Sequence, residues 1–197
     1  STGFDLAVTD QVLWNTIKGN TLFSSLDGHI NHLGAHFEPI LLFIAPFYKV
    51  RSDVRVLIVL QALVLGAAMG PLYLIAKTVL GNNRILSFTF VLAYFLSRAV
   101  RGLGFLDFHT DIFLVPLIFL SYYFLITKRT GLFLLGLIMM LLCKENAAFI
   151  VAAFGIFIIL QKRYKLGILV LFAGIAAWLV ETKLIMQVHD ELVFDSP

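Results

Sequence analysis

Charged residues, cysteine and proline are all scarce in this sequence of 197 residues. Charged residues make up 14% and hydrophobic residues 60%, and the mean hydropathy is +0.94. This balance excludes a soluble or disordered chain, and the single cysteine excludes an internal disulfide. The formal charge of +3 does not indicate nucleic acid, because the basic residues lie at the ends of apolar runs. The composition predicts an integral membrane protein that contacts membrane lipids and no nucleic acid.

The apolar runs predict several helices that cross a membrane and two that do not. Crossing takes roughly 20 apolar residues, and the candidate spans are residues 56–76, 85–100, 110–127, 131–143, 146–161 and 166–181. Pro71 predicts a kink in the first span. Residues 4–18 are too polar to span and residues 37–50 are too short, so both predict juxtamembrane helices. We therefore expect an all-α, polytopic transmembrane helical bundle over residues 55–181, following an external loop over residues 1–54 that contains the two juxtamembrane helices.

The charges around these runs favour one orientation. Residues 131–143 and 146–161 are separated only by Lys144 and Glu145, and one helix of the combined length would exceed the hydrocarbon core. We expect a hairpin with its charged turn inside the membrane and its basic outer ends in the cytoplasm. The cytoplasmic loops would then hold seven basic residues: Lys77, Arg84, Lys128, Arg129, Lys162, Arg163 and Lys165. Seven others would lie outside, so the number of basic residues alone does not decide the orientation. Carboxylates and histidines collect on the external side, which we interpret as the face of a polar site.

The external loop contains two groups of candidate residues. Asp5 and Asp10 could act as general bases at the membrane surface. The alternative is a solvated amphipathic helix, because residues five apart do not share a helical face. His29, His32 and His36 would share a face of a continuous helix and could hold a divalent metal, but nearby glycines argue against such a helix. A polar loop with substrate contacts and a loop without function stay open as alternatives.

Two further groups lie at the ends of predicted spans. Asp107 and His109 lie at the mouth of a span, where ionisable groups are costly enough to suggest function. The alternative there is a helix cap supplied by Thr110 or Asp111. The position of these residues therefore leaves both a functional and a capping role open.

Lys144 and Glu145 form the second of these groups. They could be a mutually neutralised ion pair in a tight turn. The functional interpretation is that the lysine receives an anionic head group, together with Arg98 and Arg101, since arginine and lysine both bind phosphate. We favour binding, because the hairpin would bury the pair.

Several stretches, in this order, resemble a family of predicted prokaryotic membrane proteins of unknown function that is related to the GT-C glycosyltransferases. The matching stretches are FDLAVTDQVLWNT, NHLGAHFEPILLFIAPFY, LQALVLGAAMGPLYLIAK, LDFHTD and LLCKENAAFIVAA, within about residues 4–178. The layout is also similar to GT-C enzymes that use polyprenyl-phosphate sugars, which have two juxtamembrane helices in an external loop followed by a hydrophobic bundle. The resemblance implies a protein of the prokaryotic plasma membrane with an external active face.

The resemblance also implies roles for individual residues. An acidic residue early in the loop activates the acceptor, which corresponds to Asp5 with Asp10 in reserve, and a basic residue at a later hairpin contacts the donor phosphate, which corresponds to Lys144. The other candidate substrate-binding residues are Arg98, Arg101, Asp107, His109, Glu145, Asn31, His32 and His36. Several GT-C relatives need no metal, so no residue is assigned to one, although a divalent metal is possible. The alternative function is a solute transporter or lipid-handling protein.

The two ends of the sequence differ from this pattern. Ser1 is preceded by no initiator methionine or targeting helix, so we expect a fragment that is inactive alone. Residues 182–197 form an atypical tail, in which KLIMQVHDELVF is similar to a metal-binding motif of family A DNA polymerases. That similarity would give Asp190 the role of metal ligand, but nothing upstream resembles a polymerase palm. We expect a chimeric end whose alternating pattern predicts a strand.

Overall fold

The computed structural model describes residues 3–26, 31–103 and 107–189. These residues are helical apart from turns, loops and one isolated antiparallel bridge between Phe23 and Asn31. The helices are α1 (Phe4–Ile17), α2 (His32–Ala35), α3 (Ile40–Val50), α4 (Val54–Ala67), α5 (Met69–Val79), α6 (Arg84–Leu96), α7 (Arg98–Leu103), α8 (Leu114–Ile126), α9 (Thr130–Leu141), α10 (Ala147–Leu160) and α11 (Tyr164–Leu179). A 3₁₀ turn at Thr110–Phe113 leads into α8, and a π-helical turn at Val180–Ile185 continues α11. The all-helical prediction is confirmed for the described residues.

The chain forms two compact units, and each unit is assembled from two separate stretches. The first unit comprises Ser1–Ala7 and Asp53–Met139, and the second comprises Val8–Ser52 and Met140–Pro197. Residues far apart in sequence therefore share a unit. The start of α1 belongs with α4 to α8, whereas α3 belongs with α10 and α11.

In the first unit a proline divides a long apolar helix. α4 begins after Asp53, whose side chain accepts a hydrogen bond of 2.9 Å from the backbone N–H of Arg55 and so caps the helix. Pro71 has no N–H to donate to the carbonyl group of Ala67. α4 accordingly ends at Ala67 and α5 begins at Met69. The interruption at Ala68 lies one turn before Pro71, where a kink is predicted, and α5 packs against α6 and α8.

In the second unit α10 and α11 pack closely because glycines lie at their contact. A side chain at Gly155 would overlap the backbone of Leu171. A Cβ atom at Gly174 would lie 2.7 Å from the backbone nitrogen of Ala152 and 2.8 Å from the carbonyl oxygen of Ala148. Small residues allow membrane helices to approach until their backbones are in contact, so this pair has no room for larger side chains.

Two helices have the length and composition to cross a membrane. They cover Val54–Val79 and Tyr164–His189, each with 26 residues. Only 22% and 17% of their apolar stretches are buried, in contrast to the mostly buried core helix of a soluble protein. The other predicted spans form shorter apolar helices at Arg84–Leu96, Thr110–Ile126, Thr130–Leu141 and Ala147–Leu160. Those four are below the roughly 20 residues of a straight span, so helix length supports two of the predicted crossings.

The two segments predicted to be juxtamembrane are helical, whereas the described part of the tail is not a strand. α1 and α3 coincide with the helices predicted over residues 4–18 and 37–50. Residues 182–189 continue the last helix to His189, so the strand predicted there is wrong. A short run with many apolar residues fits an apolar helix as well as a strand, and periodicity alone does not separate the two. Asp190 lies outside the described residues.

Candidate functional site

The first unit brings together Asp5, Asp107 and His109, a group that we call the Asp5 cluster. Asp5 lies in the first turn of α1, and its Oδ2 atom is 3.7 Å from Nε2 of His109. Asp107 accepts a hydrogen bond of 2.5 Å from the backbone N–H of Gly3 through its Oδ2 atom. The side chains of Asp5 and His109 are 55% and 39% exposed. The cluster therefore presents an accessible carboxylate beside an imidazole.

The local backbone explains how the Asp5 cluster forms. Gly3 has a φ of +104°, a conformation that glycine adopts without strain, and its N–H is bound by Asp107 just before α1 begins. His109 occupies the cap position of the 3₁₀ turn, but its side chain does not cap the turn. The cap position is thus taken by His109 and not by Thr110 or Asp111, and the imidazole projects to α1 instead.

The two candidate arginines, Arg98 and Arg101, also lie in the first unit. Both are on the short helix α7, and both side chains are exposed. Exposed guanidinium groups are accessible to an anionic ligand. Their assignment as phosphate contacts stays a prediction.

The second unit brings together five ionisable residues, which we call the Lys144 cluster: His32, His36, Glu38, Lys144 and Glu145. Lys144 Nζ lies 3.4 Å from Glu38 Oε1, and His32 Nε2 lies 3.4 Å from Glu38 Oε2. The Glu38 side chain is only 8% exposed. A buried carboxylate is costly unless it is paired, and here a basic side chain faces each of its oxygens. Glu38 therefore fixes the position of the Lys144 ammonium group.

Glu145 is held by the loop that precedes α3. Its Oε1 atom lies 3.2 Å from Nδ1 of His36, and its Oε2 atom accepts a hydrogen bond of 3.0 Å from the backbone N–H of Phe37. Burial acts to raise the pKa of Glu145. The hydrogen bonds from His36, from its own backbone N–H and from Phe37, together with the charge of His36, outweigh burial and lower the pKa below its ordinary value of 4.5. Glu145 is thus an ionised carboxylate at neutral pH.

The turn that carries Lys144 and Glu145 lies between two apolar helices, as predicted. α9 ends at Leu141 and α10 begins at Ala147. The carbonyl oxygen of Leu142 accepts a hydrogen bond of 2.8 Å from the backbone N–H of Ile40, the first residue of α3. The turn is therefore attached both to the start of α3 and to the loop before it.

Two predicted site residues have structural partners. The Tyr48 hydroxyl donates a hydrogen bond to Oδ1 of Asp10, and Tyr48 itself is buried. The Asn31 side chain accepts a hydrogen bond of 3.0 Å from the backbone N–H of Leu33 and caps α2. These contacts give Asp10 and Asn31 a role in the fold. Their use as a reserve base and a substrate contact stays a prediction.

The structure identifies two buried acids that sequence reasoning did not select as site residues. Glu38 and Glu181 are 6% and 4% exposed. Both adjoin strongly apolar stretches: Glu38 comes just before α3, and Glu181 follows Trp178-Leu179-Val180. An acidic residue within an apolar segment is a signal that the sequence does contain. Glu38 faces Lys144, which is more than a hundred positions away in sequence, and this contact is visible only in the fold.

The histidines pair with carboxylates. The rings of His32 and His36 lie 6.0 Å apart in an edge-to-face arrangement, and each faces a glutamate. Across residues 3–26, 31–103 and 107–189, no group of three or more His, Cys, Asp or Glu residues is arranged to hold a metal ion. His29, the third histidine of the predicted group, lies outside the described residues.

In the described part of the chain, the fold is all-helical and two long apolar helices have exposed faces, as in a helical membrane protein. The sequence matches the family described as predicted membrane protein (DUF2079) over residues 1–195, and the chain belongs to this family. The match continues beyond residue 178, where the expected resemblance ends. No curated protein and no solved structure matches the chain.

Proposed function

We propose that the protein is a membrane-embedded, polytopic, GT-C-like glycosyltransferase. It would transfer a sugar from a polyprenyl-phosphate donor at the external face of a prokaryotic plasma membrane. The observation that carries the proposal is Lys144, a largely buried ammonium group in a turn between two apolar helices, held by the buried Glu38 carboxylate. A lysine binds phosphate as a point charge, and the exposed Phe149 side chain of α10, close after the turn, suits a polyprenyl chain. Both features support a lipid phosphate as the ligand.

The proposed reaction is a substitution at the anomeric carbon of the donor sugar. The acceptor oxygen forms a bond to this carbon while the bond from the carbon to the phosphate oxygen breaks, and the electron pair leaves with the polyprenyl phosphate. Asp5 accepts the proton of the acceptor hydroxyl as a general base, with His109 beside it. Lys144 stabilises the charge on the departing phosphate, and the exposed Arg98 and Arg101 are further candidates for this role.

The test follows the loss of a sugar-labelled polyprenyl-phosphate donor in membranes that contain the protein. Asp5→Asn removes the base and is expected to lower turnover by about 10²- to 10⁴-fold. Lys144→Ala removes a phosphate contact, so turnover also falls, with weaker binding of the donor. Labelled product appears with the wild type only when both acceptor and donor are present.

Two matched variants serve as controls. Asp53→Asn exchanges another carboxylate of the first unit and keeps a good helix cap, and Lys49→Ala removes an exposed lysine of the second unit. Both are expected to retain wild-type turnover. A folded wild type that consumes no donor lipid and instead moves a solute into vesicles would reject the enzyme in favour of a transporter. Turnover unchanged in Asp5→Asn would reject Asp5 as the base.

A further inference from the structure

Glu181 is a buried acid that the proposed reaction does not yet use. It is 4% exposed and lies within Tyr164–His189, one of the two helices long enough to cross a membrane. Its Oε2 atom is buried without a hydrogen-bond partner among the described residues. An unsatisfied buried polar atom is costly, and an ionisable residue within a membrane segment suggests a binding or transport function.

The packing of the second unit places Glu181 beside the Lys144 cluster. α10 and α11 run antiparallel, with Gly167 packed on Ile159 and Gly174 packed on Ala148. Glu181 lies about two turns, or about 10 Å, beyond Gly174, so it reaches past the start of α10 to the level of the turn with Glu145.

The backbone at Glu181 is irregular as well. Val180–Ile185 is a π-helical turn, and such turns inside α-helices often occur at functional sites. A π-helical turn aims its side chains differently from the α-helix on either side. Here it directs a carboxyl group into the buried region of the second unit.

The surroundings determine which ligand the carboxyl group can take. A second negative charge beside the ionised Glu145, in a buried position, is unfavourable. A neutral carboxylic acid has both an O–H donor and a carbonyl acceptor. This combination matches a hydroxyl group, which also donates and accepts.

We propose that Glu181, as a neutral carboxylic acid, forms a hydrogen bond with a hydroxyl group of the sugar carried by the donor lipid. This inference rests on the proposed function and deepens it, because it assigns recognition of the sugar to Glu181 and recognition of the phosphate to Lys144. Glu181 and Lys144 would then bind different parts of one ligand.

The test compares two probes that differ only in the sugar: a polyprenyl-phosphate sugar and the same polyprenyl phosphate without sugar. Binding of each to the protein in nanodiscs is measured for the wild type, Glu181→Ala and Glu181→Gln. Glu181→Ala is expected to weaken binding of the polyprenyl-phosphate sugar about five- to a hundredfold. Binding of polyprenyl phosphate should not change. Glu181→Gln keeps a donor and an acceptor and should stay within about threefold of the wild type. Lys144→Ala weakens both probes.

A control variant and a spectroscopic measurement complete the test. Leu184→Ala changes an exposed residue of the same π-helical turn and should bind both probes normally. The infrared carbonyl band of a protonated carboxylic acid should disappear in Glu181→Gln, and in the wild type it should shift with the sugar lipid and not with polyprenyl phosphate. This band tests the inference even if Glu181→Ala does not fold.

Three outcomes would overturn the inference. If Glu181→Ala weakened binding of both probes equally, the role of Glu181 would be structural. If Glu181→Gln weakened binding of the sugar lipid as much as Glu181→Ala does, an ionised carboxylate would be required. A folded wild type that binds neither probe would reject the proposed function together with this inference. A wild type that binds both probes, with Glu181 variants that bind like it, would reject the inference alone.

Discussion

Glu38 contacts two other residues of the Lys144 cluster, because its two oxygens face Lys144 and His32. Glu38→Leu leaves the ammonium group of Lys144 largely buried without its carboxylate. We expect this substitution to lower the free energy of unfolding by roughly 3 kcal/mol. Denaturant unfolding of the purified protein in detergent micelles measures the loss.

The double variant Glu38→Leu/Lys144→Met is the control for this prediction. It replaces both charges by apolar side chains, and replacing a buried ion pair in this way is often neutral. We expect it to recover most of the stability that Glu38→Leu loses. A double variant no more stable than Glu38→Leu would show that the two residues do not interact energetically.

Because of Glu145, we expect the stability of the second unit to fall at acidic pH. Its folded pKa lies below the ordinary value of 4.5, so its contribution to stability is fully present above pH 4.5 and is lost as the pH falls through the lower folded value. Melting temperatures recorded from about pH 6 down to about pH 3 should fall at the acid end. Glu145→Gln should flatten that part of the profile, and an identical acid profile in this variant would contradict the assignment.

At the scale of helices, the close contact between α10 and α11 depends on glycines at the positions where the two backbones meet. Gly174→Ala places a methyl group 2.7 Å from the backbone nitrogen of Ala152. Because backbone cannot move aside as a side chain can, we expect a loss of roughly 1–3 kcal/mol of stability. Gly131→Ala is the matched control, since a Cβ atom there meets nothing within 4 Å. Melting temperatures of the two variants distinguish packing from helix propensity, and equal shifts would argue against a close contact.

The helices themselves could largely be predicted from the sequence, whereas the contacts between them could not. The apolar run of α3 and the break that Pro71 imposes on α4 and α5 are local properties of the chain. The pairing of Glu38 with Lys144 and of Asp5 with His109 joins residues more than a hundred positions apart, so it depends on the packing of whole helices. The secondary structure of the tail could not be predicted either. Its alternating residues fit both a helix and a strand, and only the structure shows that the preceding helix continues through them.

At the scale of the whole molecule, the direction of Val54–Val79 through the membrane is the prediction to check. Basic residues flank both ends of this helix, so the predicted orientation, with residue 79 in the cytoplasm and residue 54 outside, depends on the carboxylates and histidines expected on the external side. In a Cys143→Ala background, Arg55→Cys should react with an impermeant maleimide in intact cells. Arg84→Cys should react only after permeabilisation. Equal reactivity of both positions in intact cells would show that this helix does not cross the membrane.

The glycine contact between α10 and α11 also bears on how the protein is made. The two helices are adjacent in sequence, joined by residues 161–163, and glycines of each helix lie against the backbone of the other. A ribosome delivers such a pair to the membrane in immediate succession. We expect the pair to associate as soon as α11 leaves the translocon, and thus to serve as the template onto which earlier segments of the second unit fold back.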